Sequence, residues 1–181
     1  MRKAFTLMEV NLAIMIMAGG ILSIVSLYSL GYRENRQSRE DVAGAAYAEA
    51  VIAPLVVAAS STNLPWSVFS KVKNHPADAG NHVGWATYFD NDGRVNGAQS
   101  LASTAFSETM SELKASATSS SLPSSLPTGS SYDKLVPGLV IRHKQGEAVI
   151  HISFRAARAE KELLSMPVYY TEVRFQGNPN L

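Results

Sequence analysis

Val10 to Leu30 holds 21 residues without one charge, and this run limits what the chain can become more than any other stretch. As a helix it would be about 31 Å long, close to the hydrocarbon core of a bilayer. Only Asn11, Ser23, Ser26 and Ser29 interrupt it with polar side chains. A cleaved secretory signal has an apolar region of about 7–15 residues followed by a small-x-small site. This run is longer, and no such site follows it. Arg2 and Lys3 precede it, so the positive-inside rule places the N-terminus in the cytoplasm and sends residues beyond 32 outward. The expectation is a single-pass anchor carrying an extracytoplasmic domain.

Composition narrows the remainder. Charged residues make up 17% of the 181 positions, against about a quarter in an ordinary soluble domain. The apolar run accounts for much of that deficit. Sixteen basic against fifteen acidic residues give no chain-wide field that would gather nucleic acid or cations. The absence of cysteine excludes disulfides, thiolate metal sites, Cys nucleophiles and iron–sulfur clusters.

Glu9 stands out at the mouth of the run. A carboxylate inside a spanning helix is costly unless paired, which makes it a functional candidate. At headgroup level in the first helical turn, it would instead be favoured by the helix dipole. Its neighbours add a second line of reasoning. Lys3-Ala4-Phe5-Thr6-Leu7-Met8-Glu9-Val10 resembles the class III signal of type IV pilins and type II secretion pseudopilins. In that family a short basic leader ends in a small residue, and a methylated Phe begins the mature chain. A Glu occupies its fifth position. The resemblance implies a leader over 1–4 cleaved between Ala4 and Phe5 by prepilin peptidase, N-methylation of Phe5, and an assembly role for Glu9. There Glu9 would meet the α-amine of a neighbouring subunit's Phe5, a charge pair formed where the dielectric is low. It also implies other pilin or pseudopilin subunits, an inner-membrane assembly platform and membrane lipid as partners. The location would be the bacterial inner membrane with a periplasmic C-terminal domain, then a pilus or pseudopilus. Ala4 stands where the family prefers Gly, and Ser26 where many major pilins have Pro. Met17-Ala18-Gly19-Gly20-Ile21-Leu22 looks more like a minor pilin or accessory pseudopilin than a major subunit.

Beyond an assembly helix over 5–31, residues 32–63 read as an amphipathic helical half. Ala43, Ala46, Ala50, Ala53 and Val57 form a small-residue stripe predicted to face a sheet, with Tyr47, Val51 and Leu55 beside it. Pro54 would bend the helix or open its last segment, and Ser60 to Asn63 would end it. Residues 64–181 then form the head, with a Ser- and Pro-rich loop over 116–131. Alternation predicts strands over 82–89, 139–144, 147–154 and 168–175. A two-residue turn at Gln145-Gly146 would pair Lys144 with Glu147, Ile141 with Ile150 and Leu139 with Ile152. Leu139, Ile141, His143, Ile150 and Ile152 would then share one face. Tyr169, Thr171, Val173 and Phe175 of the last strand would face the helix. Ala102 to Lys114 fits either a helix or a weak strand. The expected fold is α+β, type IV pilin-like, with a long N-terminal helix packed on a small antiparallel sheet.

Catalytic chemistry finds no constellation. No Gly-rich phosphate loop or G-x-S-x-G elbow appears, and His75, His82, His143 and His151 have no shared metal spacing. Asp90-Asn91-Asp92-Gly93 reads as a tight hairpin turn. Asp90 and Asp92 are also the one calcium candidate, since some pseudopilins hold calcium in a loop, although EF-hand spacing fails at Tyr88 and Gln99. Lys71, Lys73 and Arg94 make too small a patch for a nucleic-acid partner. The expectation is a structural, non-enzymatic subunit without a cofactor. The competing reading is a permanently anchored extracytoplasmic binding module, in which Phe5 and Glu9 have no special part.

Overall fold

The computed structural model describes residues 6–75, 88, 97–114, 121–129, 132–144 and 146–177. Two compact units divide the chain, residues 1–42 and 43–181. The first consists of the N-terminal part of α1 (Leu7–Ala59), whose last turns belong to the second unit. There follow α2 (Trp66–Phe69), α3 (Ala98–Lys114), β1 (Val136–His143), β2 (Val149–Ala157), a 3₁₀ segment (Glu160–Ser165) and β3 (Tyr169–Arg174). The described strands form one antiparallel sheet in the order β1-β2-β3. The architecture is α+β, a long N-terminal helix packed on a small antiparallel sheet.

The head's core lies between α1, α3 and the inner sheet face. On α1 the buried residues are Gly44, Tyr47, Ala48, Val51, Leu55, Ala58 and Ala59, spaced at the three- and four-residue steps of one helical face. This corrects the expected stripe. Ala46, Ala53 and Val57 are exposed, and Ala43 and Ala50 are only half-buried. The larger side chains take the inside because they remove more apolar surface from water. Tyr47 stacks on Tyr132 at 4.7 Å between ring centres and meets Phe154 edge-on at 5.2 Å. Pro54 stays within α1, which runs on to Ala59.

Residues 98–114 resolve as helix. Ala98, Ala102, Ala105, Phe106, Thr109, Met110 and Leu113 are buried at helical spacing. A carboxylate oxygen of Glu160 accepts a hydrogen bond from the Ala98 N–H at 3.1 Å, satisfying one of the helix's first amides. Across from α3, His75 is half-buried with Glu108 at 3.6 Å, too far for a hydrogen bond. Burial lowers its tendency to take up a proton more than Glu108 and Glu112 raise it.

The predicted hairpin is present, with its register moved by two residues. Ile141 pairs with Ile152, Leu139 with Phe154 and His143 with Ile150, where the tight turn had put Ile150 and Ile152 opposite Ile141 and Leu139. Of the expected turn, Gln145 lies outside the described residues. Glu147 N–H donates to Lys144 O at 2.9 Å, and Gly146 has φ +86°, the left-handed region that glycine adopts at no steric cost. After the turn Ala148 O accepts from Phe175 N–H at 2.9 Å, and the β1 ladder begins at Ile150. A shift of two keeps each side chain on its face, and Leu139, Ile141, Ile150 and Ile152 are all buried. On β3, Val173 is buried and Tyr169 and Phe175 pack against the core.

Among the described residues, the outer edge of β1 is met by single residues rather than by a fourth strand. His75 exchanges both backbone bonds with Ile141, and Asn74 Oδ1 accepts the His143 N–H at 2.6 Å. Tyr88 closes the next place. Its hydroxyl donates to Leu139 O and accepts from Leu139 N–H, both at 2.7 Å. Fully buried, it has its phenol held well above the ordinary ionisation range by desolvation. Of the expected strand 82–89 only Tyr88 lies within the described residues, and it adopts 3₁₀ conformation.

Replacing Tyr88 by Phe leaves both the N–H and the C=O of Leu139 buried without a partner. The variant is expected to lose about 1–3 kcal/mol of stability, read by urea denaturation of the full chain in nonionic micelles. A loss below about 0.5 kcal/mol, the range of ordinary surface substitutions, would show that the hydroxyl does not hold this edge.

Candidate functional site

Thr6 and Glu9 form a reciprocal cap at the start of α1. The Thr6 hydroxyl accepts from Glu9 N–H at 3.3 Å and donates to Glu9 Oε2 at 3.0 Å. The same Oε2 accepts the Thr6 backbone N–H at 2.9 Å. This is a capping box, in which the side chains at the first and fourth positions satisfy each other's orphan amides. Glu9 is thereby fixed in the first turn, where the helix dipole favours negative charge. Its Oε1 makes no hydrogen bond to another described residue.

The helix that follows is apolar on every side from Val10 to Leu30 and exposed as far as Arg39. Leu7 is 81% exposed, Ile14 58% and Leu22 69%. It is long and apolar enough to cross a membrane, and none of its most apolar window is buried within the chain. In water so large an apolar surface would be a strong drive to association. Two serines in the run return their hydroxyls to its own backbone. Ser23 donates to Gly19 O at 2.9 Å and Ser29 to Ser26 O at 2.8 Å. Such bonds spare the hydroxyls an unpaired burial in lipid. Charge begins past Tyr32, where Arg36 and Glu40 pair at 3.0 Å one turn apart.

Among the predicted site residues, the structure brings Glu9 together with Thr6. Ala4 and Phe5 lie outside the described residues, as do Asp90 and Asp92. Among the described residues no group of three His, Asp or Glu side chains is arranged to hold a metal ion. The role of Thr6 escaped the sequence reading, although a Thr followed three residues later by Glu, ahead of an apolar run, is the capping-box signature. The chain matches no protein-family model, no curated protein and no solved structure.

Thr6→Ala removes the hydroxyl from the cap and is expected to fray the first turn. Amide exchange at residues 8–10 in micelles should then quicken roughly 2- to 30-fold, as loss of an N-cap worth ~0.5–2 kcal/mol implies. Equal exchange rates in the two chains would show that the cap does not hold this turn.

Proposed function

We propose that the chain is a structural, non-catalytic subunit of the type IV pilin and type II secretion pseudopilin kind, in the role of a minor pilin or pseudopilin. In this reading prepilin peptidase cleaves between Ala4 and Phe5, and Phe5 is N-methylated. The subunit waits in the bacterial inner membrane with its head in the periplasm. An inner-membrane assembly platform then transfers it into a filament with other pilin subunits. The apolar half of α1 exchanges lipid for the helices of its neighbours, and the head remains outside that bundle.

The observation that carries the reading is the placement of Glu9. It stands at the entrance of an exposed apolar helix, held by Thr6 through one oxygen, with no bond from the other to any described residue. An ammonium group from an adjacent Phe5 is the natural partner for that oxygen in a low-dielectric bundle, where an unpaired charge is expensive. The residues flanking Glu9, from Lys3 to Val10, have the order of the class III signal. The helix also supplies core residues to an α+β head, as a filament subunit requires.

Glu9→Leu tests both parts together. The neutral chain should still insert in the membrane and still lose Met1–Ala4 with methylation of Phe5, read by mass spectrometry. It should fail to enter sheared filaments or to co-purify with partner pilins. Normal incorporation would remove Glu9 from assembly. A wild-type chain that keeps residues 1–4 in cells with active prepilin peptidase would overturn the whole reading in favour of a permanently anchored module.

A further inference from the structure

A polar cavity of about 510 Å³ opens in the head at the turn end of β1 and β2, within the size range of small-molecule sites. Nothing in the reading of α1 uses it. Its hydrogen-bonding groups are unevenly committed. Several of its acceptors are engaged within the protein. Asn74 Oδ1 takes the His143 N–H, and the Glu147 carboxylate takes Lys144 at 2.9 Å. Glu147 O faces His143 Nε2 at 2.9 Å while Val72 O faces Nδ1 at 3.2 Å, so that ring is enclosed by backbone on both sides. Tyr170 donates to Glu172 Oε1 at 2.6 Å and has His151 Nδ1 at 2.6 Å on its oxygen.

What remains open is a set of donors. Arg142, cross-strand partner of His151, has no carboxylate within ion-pair distance among the described residues. With its oxygen fixed on a backbone N–H, the Asn74 side chain has its NH₂ group left to give. The Ser153 hydroxyl, from the strand position next but one to His151, makes no bond to another described residue. Lys144 lies at the rim, 81% exposed, with its charge balanced by Glu147. Open donors and a guanidinium without a carboxylate partner among the described residues complement a ligand rich in acceptors and negatively charged. A guanidinium meets carboxylate or phosphate oxygens through two parallel N–H bonds.

We propose that this cavity binds a small soluble oxyanion, a carboxylate or phosphate compound, with Arg142 as its principal contact and Asn74 and Ser153 as neutral donors. The assignment is independent of filament assembly, and either can fail without the other.

The test is a titration of the full chain in nonionic micelles with inorganic phosphate and, separately, with citrate. Ionic strength is held constant with chloride, and amide and guanidinium NMR shifts are followed. Saturable shifts confined to residues around Arg142, His151 and Ser153 are expected with at least one probe, and the better probe identifies the class. Arg142→Ala should weaken binding by roughly tenfold or more, as loss of a charged hydrogen-bond pair implies. Arg142→Lys, which keeps the charge and loses the fork, should fall between, and Lys161→Ala on the 3₁₀ segment should bind as the parent does. Shifts that grow without saturation for both probes, or equal affinity in Arg142→Ala with its spectrum otherwise native, would overturn the proposal.

Discussion

Helical backbone bonding is what allows a run such as Val10–Leu30 to exist away from water, because every peptide group in the run finds its partner within the same segment. The exceptions are the first amides, which have no preceding turn to bond to. Thr6 and Glu9 supply partners at that point, and Ser23 and Ser29 hide their own hydroxyls in the ladder. The same helix changes character along its length. From Val10 to Leu30 it is apolar all round and exposed, whereas from Gly44 onward one face is buried and the other is not. Two hydrophobic periodicities written into one element therefore serve two surroundings.

The head depends on a comparable completion of backbone bonds. A three-stranded sheet has two edges, and on β1 the outward-facing groups of Leu139 and Ile141, with the N–H of His143, are met one by one by Tyr88, His75 and Asn74. Pro137 has no N–H to satisfy. An edge strand dressed in this way offers little to a foreign strand. On the far side β3 has no strand beside it among the described residues, and it exposes Tyr170, Glu172 and Arg174, whose charges discourage pairing with a like edge.

How much of this the sequence discloses depends on the range of the interaction. The apolar run, the end of α1 near Ser60 and the two faces of the β1–β2 hairpin are local patterns and were legible. The register was not, since two pairings that differ by two residues put the same side chains on the same faces, and alternation cannot choose between them. The alanine stripe misled because small residues fit a close helix contact and an exposed face equally well. Only the competing burial of Tyr47, Val51 and Leu55 decides between them. The Thr6–Glu9 cap was legible in principle, being three residues apart. The partners of Leu139, and the gathering of Arg142, Asn74 and Ser153 around one cavity, were not, because nothing in the spacing of those residues foretells the meeting.

The tyrosine that closes β1 also bears on the order in which the head can assemble. Residues 88 and 139 are separated by 51 positions and Asn74 and His143 by 69, whereas the β1–β2 hairpin closes over a short turn. Loop-closure entropy rises with the logarithm of the intervening length, so the edge bonds carry a cost the hairpin does not. Long-range pairings of this kind slow folding. During synthesis Tyr88 is also made well before the strand it caps. Until Leu139 emerges its hydroxyl lacks the backbone partner it has in the sheet, so this edge closes only once the later-made strand is in place.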